Sequence, residues 1–177
     1  MELIKDLPAL FEEFEDSRKN GFLEAKKIKD EEHPLLGIYC TFFPTEIAMA
    51  MDIHTVSLCA FSGETIPDAE LDLPTNLCPL IKSSYGFAKT QKCPYFYFAN
   101  LVIGETTCDG KKKMYEMLSE FKDVYVMELP NSPSNGGRQL WISEIKRLKN
   151  YLEMKFERTL EENKLWEAIR TKNAERA

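Results

Sequence analysis

The spacing of apolar positions changes twice along the chain. In residues 6–32, Leu7, Leu10, Phe11 and Phe14 make one apolar stripe on otherwise polar helical sequence. From His33 to Pro130 the apolar runs shorten to strand length, at residues 35–39, 55–59, 101–104 and 123–127. Helical stretches lie between them: TEIAMAM after Pro44, a helix around CPLIKSSYGFA, and KKKMYEMLSEF. Strand, helix, strand in this rhythm predicts a parallel sheet covered on both faces by right-handed crossover helices. The expected fold class is therefore α/β, a Rossmann-like or flavodoxin-like sheet with N-terminal and C-terminal helical extensions.

After Pro130 the segment NSPSNGG reads as a loop that closes the strand region. Trp141, Ile145, Leu148, Leu152 and Phe156 then recur at helical steps and predict a long amphipathic helix. A second helix is predicted from Thr159, with Thr159 and Glu162 spaced as a capping box, and it carries Leu165, Trp166 and Ile169 towards the chain end. Trp141 and Trp166 read as packing residues. The expected organisation is a helical segment at 1–34, an α/β domain at 35–130, and a loop with terminal helices at 131–177.

Composition narrows the class. With 177 residues, 44% hydrophobic, 29% charged, 8 Gly and 9 Pro, collagen-like and disordered chains are excluded. No stretch reaches the ~20 apolar residues of a membrane span, and the acidic, amphipathic start is unlike a signal peptide, so a cytoplasmic location without membrane contact is expected. The net charge is −6, and only residues 138–177 are basic on balance, which argues against nucleic acid as a partner.

Five cysteines remain to be explained. In a reducing compartment they are expected as thiols. Cys40 follows the first predicted strand, Cys59 ends the second, Cys78 opens the next helix, Cys93 lies ahead of the third strand, and Cys108 follows it. Cys40, Cys78 and Cys108 thus belong to the carboxyl edge of the sheet, where open α/β sheets bind ligands. Cys78 and Cys108 fall at first turns of helices, which favour thiolate. The spacing lacks the close Cys-x-x-Cys pair of zinc modules and the ferredoxin pattern. Two readings stay open: an iron–sulfur cluster held from separate loops, or buried apolar thiols. Cys59, in an apolar strand, reads as core.

Other residues carry weaker signals. Lys111, Lys112 and Lys113 oppose the dipole at a helix start and read as a solvated face, or as offsetting a cluster's or a phosphate's charge. Lys82 and Ser83 lie one turn after Cys78, within reach of a cluster-bound substrate or in surface and capping roles. Glu46 and Glu105 are candidate proton donors near the crevice. His33 and His54 read as structural, with no Cys or Asp at ligand spacing.

Three segments are more specific: NLCPLIKSSYGFA (76–88), KCPYFYFANLVIGETTCDGKKKMYEML (92–118) and GIYCTFFPTEI (37–47). They resemble the first domain of the 2-hydroxyacyl-CoA dehydratase component D family, and within it the double-cubane-cluster anaerobic reductase branch. The resemblance covers nearly all of residues 35–175. It implies an oxygen-sensitive protein with a single-cubane or double-cubane iron–sulfur cluster. Such a protein receives low-potential electrons from an ATP-hydrolysing iron–sulfur activator. It acts on a 2-hydroxyacyl-CoA thioester or another small substrate that is hard to reduce.

Carried over by position, the resemblance makes Cys78, Cys93 and Cys108 cluster ligands and Cys40 a weaker candidate lining the cavity; Lys82 and Ser83 are cavity candidates by their place one turn after Cys78. Asp52 stands where the family reads Gly, and Thr55 where it reads Pro; Asp tolerates the left-handed turn that Gly would supply. Subunits of the family continue into a second α/β domain, and this chain ends where that domain would begin. The expected partners are that second domain or a complementary subunit, the activator, and a second copy in a homodimer; the chain alone is expected to be inactive. A metal-free α/β interaction or remnant domain is the alternative.

Overall fold

The computed structural model describes residues 10–177. Leu7 lies outside the described residues, as do the side chains of Leu10, Phe11 and Phe14. Helix α1 (Leu10–Asp30) leads into the sheet and packs Ala25 and Ile28 against Leu35. Four strands follow: β1 (Leu35–Ile38), β2 (His54–Ser57), β3 (Leu101–Glu105) and β4 (Val124–Met127). They form one parallel sheet in the order β2-β1-β3-β4. The α/β fold class read from the sequence is the fold observed. The chain leaves β1 on one side to form β2 and returns past it to form β3, so the topological switch lies between β1 and β3.

The alternation of β3 shows how the layers form. Val102 faces a cluster that includes Tyr39, just past β1, with Ile81 and Tyr85 from α4 (Pro79–Lys89) and Met114 and Leu118 from α6 (Asp109–Leu118). Leu101 and Ile103 face the opposite cluster, with Ile47 and Ala48 of α2 (Thr45–Ala50) and Leu148 and Leu152 of α7 (Asn135–Phe156). Every residue of β3 is buried, as expected of a central parallel strand covered on both faces.

Two short helices escape the periodicity of the sequence: α3 (Ile66–Ala69) and α5 (Pro94–Phe98). Each is shorter than the window in which a 3.6-residue period can be read. Two boundaries also differ from expectation. The NGG of the predicted loop is the first turn of α7, because Ser134 Oγ accepts from Gly137 N at 3.1 Å and starts the helix early. The last helix, α8 (Glu162–Arg176), begins after Thr159, with Glu161 at its N-cap and no side-chain cap. The capping box does not form: Leu160 N instead donates to Glu153 Oε1 of α7 at 2.9 Å, beyond the left-handed Glu157. Trp141 packs on the core, but Trp166 is 55% exposed and is not a packing residue. No helix among the described residues is long and apolar enough to cross a membrane.

Helix α4 is pressed onto the buried Thr65, whose Oγ1 donates to Ser83 O at 3.2 Å. A Cβ on Gly86 would lie 2.2 Å from Thr65 O, which is backbone and cannot swing aside. In an open helix Gly→Ala would gain about 1 kcal/mol of propensity, but overpacking of this kind costs about 1–3 kcal/mol. Gly86→Ala should therefore lower the urea midpoint of unfolding. Gly63→Ala, with nothing within 4 Å of the new Cβ, should leave it within experimental error.

Candidate thiol crevice at the carboxyl edge of the sheet

Past their ends β1 and β3 part, and the crevice forms between them. Tyr39 N still donates to Ile103 O at 3.1 Å, after which Cys40 adopts a left-handed conformation with φ of 66° and turns the chain away. Its thiol meets Lys111 Nζ and lies 3.9 Å from Thr107 Oγ1. Cys108 is the N-cap of α6 and Cys78 the N-cap of α4; both are exposed, and neither side chain is used as a cap. The positive dipole end of each helix therefore faces any anion held at these thiols, with fewer free N–H groups at α4, whose first residue is Pro79 and whose Ile81 N donates to Cys78 O. The two helix starts adjoin: a Cβ on Gly110 would lie 2.8 Å from Ile81 Cδ1 and 2.9 Å from Leu77 Cδ1. This close approach puts Cys78 and Cys108 on one rim.

The third thiol expected with them sits in a different setting. Cys93 caps α5, its Sγ accepts from Phe96 N at 3.4 Å, and it packs against the core cluster that contains Tyr39. Burial pushes its thiol up, against the opposing pull of the Phe96 and Tyr95 N–H groups. The 11 residues of α4, about 16 Å of helix, run between Cys78 and the turn that leads to Cys93. Cys93 thus differs from Cys78 and Cys108 in state: it is half-buried and its Sγ is already used as a helix cap, whereas theirs are exposed and free of caps.

Cys59 is also corrected. It lies past the end of β2, exposed, and not in the core. With Tyr39, Phe61, Leu80 and Lys111 it lines a small, mostly apolar cavity of about 70 Å³. Lys82 and Ser83 turn away from the crevice. Lys82 Nζ is held by Glu70 Oε1 at 2.6 Å and Thr75 O at 2.7 Å, and Ser83 Oγ donates to Ser62 O at 2.6 Å. Both tie α4 to the segment before it. The three lysines of α6 separate in the same way: Lys112 pairs with Asp109 and Lys113 with Glu116 on the surface, while Lys111 alone meets a crevice thiol.

The two candidate acids differ in state. Glu105, the last residue of β3, is fully buried; Oε1 accepts from Phe43 N at 2.8 Å and Oε2 has no partner among the described residues. Burial pushes its carboxyl up, and the Phe43 and Phe42 N–H groups and Lys111 oppose that only in part. Glu46, in the first turn of α2, is drawn up by burial too. Its own backbone N–H and the Arg176 guanidinium, 2.6 Å away, outweigh this and hold it below the usual range. Glu105 is thus the group suited to keep a proton, and Glu46 the one suited to stay charged. Around the crevice, Phe42, Phe61 and Leu80 are each more than half exposed.

The family model described as 2-hydroxyglutaryl-CoA dehydratase, D-component, matches residues 40–177. The chain belongs to this family. It is 56% identical over 177 residues to YjiM of Escherichia coli (strain K12), a candidate dehydratase subunit. The match covers 99% of this chain and 46% of YjiM, so the chain spans about half the length of the curated relative it matches. All the thiols of the crevice fall within the matched residues.

Among the described residues, one group of three potential ligands lies within single-ion distance: His33, Asp52 and His54, whose ligand atoms are within 4.8 Å of one another. Sequence spacing missed it, since His33 and Asp52 are far apart in the chain. The signal was in the strand pairing: β1 and β2 start side by side, so residues just before β1 meet the start of β2.

Glu105 also makes a test. Its folded-state carboxyl is raised, so its contribution to stability is present below the unfolded value and is lost as pH rises through the folded value. Glu105→Gln keeps an acceptor for Phe43 N and has no proton to lose. Its stability relative to the native chain should rise between pH 4 and neutrality in urea unfolding, on the order of the carboxylate range of about 4 upwards. Parallel pH curves for the two proteins would refute the assignment. Glu105→Ala strands a buried N–H and should cost about 1–3 kcal/mol.

Proposed function

We propose that this chain is the cluster-holding portion of a dehydratase-family subunit, with Cys78 and Cys108 as iron ligands and the remaining thiolates supplied by polypeptide outside the chain. The observation that carries this reading is the pair of exposed N-cap thiols on adjoining helix starts at the switch-point edge. The donor set fits an iron–sulfur cluster: soft thiols, no side-chain cap at either cysteine, and helix termini that favour a thiolate-bound anionic centre. When bound, such a cluster supplies one-electron chemistry, here fed by an ATP-hydrolysing activator and directed at a 2-hydroxyacyl-CoA thioester or a similarly hard-to-reduce small molecule.

The chain's own residues have distinct parts in this reading. Lys111 offsets negative charge beside Cys40. Glu105 holds a proton at Oε1 or Oε2 behind the crevice. Phe42, Phe61 and Leu80 form an apolar rim that the rest of the subunit covers, excluding water from the thiolates. The length relation to YjiM supports that last role, since more than half of that relative has no counterpart in this chain.

The test is anaerobic reconstitution with iron and sulfide, on the chain alone and on the chain mixed with the part of YjiM that it does not cover. The mixture should turn brown and retain iron. Cys78→Ser and Cys108→Ser should each remove most of it, and Cys93→Ser should not. A colourless, iron-free mixture would favour the metal-free remnant, and loss of iron in Cys93→Ser alone would overturn the ligand assignment.

A further inference from the structure

The amino edge of the sheet, opposite the cysteines, gathers both histidines of the chain. His33 lies in the turn after α1, where its N–H donates to Ile28 O at 3.0 Å. His54 opens β2, and its N–H donates to Pro34 O at 2.9 Å. Parallel pairing of Leu35 with His54 therefore brings the two imidazoles together, with ring centroids 5.7 Å apart and planes at 86°. Asp52, left-handed at φ of 55°, turns the chain from α2 into β2 and sets its carboxylate beside them.

Three observations point to a ligand between these groups. The ligand atoms of all three residues lie within 4.8 Å of one another. His33 Nδ1 is buried and has no hydrogen-bond partner among the described residues, although Asp52 Oδ2 is only 3.8 Å away. That separation is too long for a hydrogen bond but suits two donors sharing one ion, since ligands held at about 2.0–2.1 Å from zinc sit some 3–4 Å apart. A cavity of about 360 Å³ lined by Asp52, His54, Thr45 and Lys172 adjoins the group and leaves room for a water as a further ligand. Arg158 Nη1 lies 2.9 Å from Asp52 Oδ2 and 2.8 Å from Met51 O, and so orients the carboxylate from outside the group.

We propose that His33, Asp52 and His54 form a site for a divalent transition-metal ion of the zinc class, separate from the thiol crevice. Two imidazoles and a carboxylate are the donors that such ions accept. A bound ion clips the turn after α1 to the α2–β2 turn and, through Arg158, to the turn between α7 and α8. The proposal does not depend on the function proposed above, because it uses other donors at the other edge.

The test reads the imidazoles directly. Zinc is titrated into the full chain while the ring proton and nitrogen resonances are followed; with two histidines in the chain, each signal is assignable. Zinc taken up by the distant thiols does not shift these rings. Both histidines should respond together and saturate at the same zinc concentration. In His54→Gln, and separately in Asp52→Asn, the zinc needed to shift His33 should rise about tenfold or more. An unchanged His33 response in both variants, or native rings that respond independently of one another, would overturn the shared site. An unaltered backbone spectrum in each variant shows that the fold is kept.

Discussion

Parallel pairing of β1 with strands on both sides is the constraint on which the rest of the molecule depends. A parallel strand cannot be reached by a tight turn, so every connection must climb back across the sheet, and helices provide the climb. The helices that do so begin near the carboxyl edge. The N-caps of α4 and α6 therefore meet there as a consequence of topology, and the residues in those caps are Cys78 and Cys108. Gly37 shows how tightly the layers are packed: a Cβ there would come within 2.4 Å of Leu58 Cδ1, so a larger residue at this position must displace the Leu58 side chain.

The switch point also sets the electrostatics. Where β1 and β3 part, the backbone of the following loop loses its sheet partners. Glu105 replaces part of what is lost by accepting from Phe43 N. A buried carboxyl used as a backbone anchor is drawn towards its neutral form, and Lys111 limits that shift from the crevice side. Holding the loop and holding a proton are thus two effects of one burial. Glu46, in the same loop-to-helix segment, is pushed the other way by Arg176.

Much of this was legible in the sequence, because buried strands and amphipathic helices leave strong local periods. β1, β2, β3 and β4 each lie within one or two residues of the apolar runs that predict them. What was not legible depends on distance in space. Cys93 is grouped with Cys78 and Cys108 by the resemblance alone, from a segment that reads as a loop ahead of β3; a helix as short as α5 has no period to read, so the use of Cys93 as its cap is a tertiary fact. Cys59 looked buried because its apolar neighbours suggested a longer β2; the strand stops at Ser57 and the thiol emerges at the edge. Asp52 was read correctly as a left-handed turn residue, yet its proximity to His33 needs the strand register as well.

The two edges of the sheet also differ in the donors they offer. The carboxyl edge carries thiols at helix starts, and the amino edge carries imidazoles and a carboxylate at strand starts. The four residues of β1 hold these sets about 13 Å apart at the ~3.3 Å rise of a parallel strand. Thiolates select iron–sulfur clusters and soft ions, whereas imidazole with carboxylate accepts borderline divalent ions. A chain this short can keep both kinds of donor without cross-ligation only if something rigid separates them. The fully buried β3, fixed between two core clusters, is that spacer: it cannot bend to bring one edge to the other without opening both faces of the core.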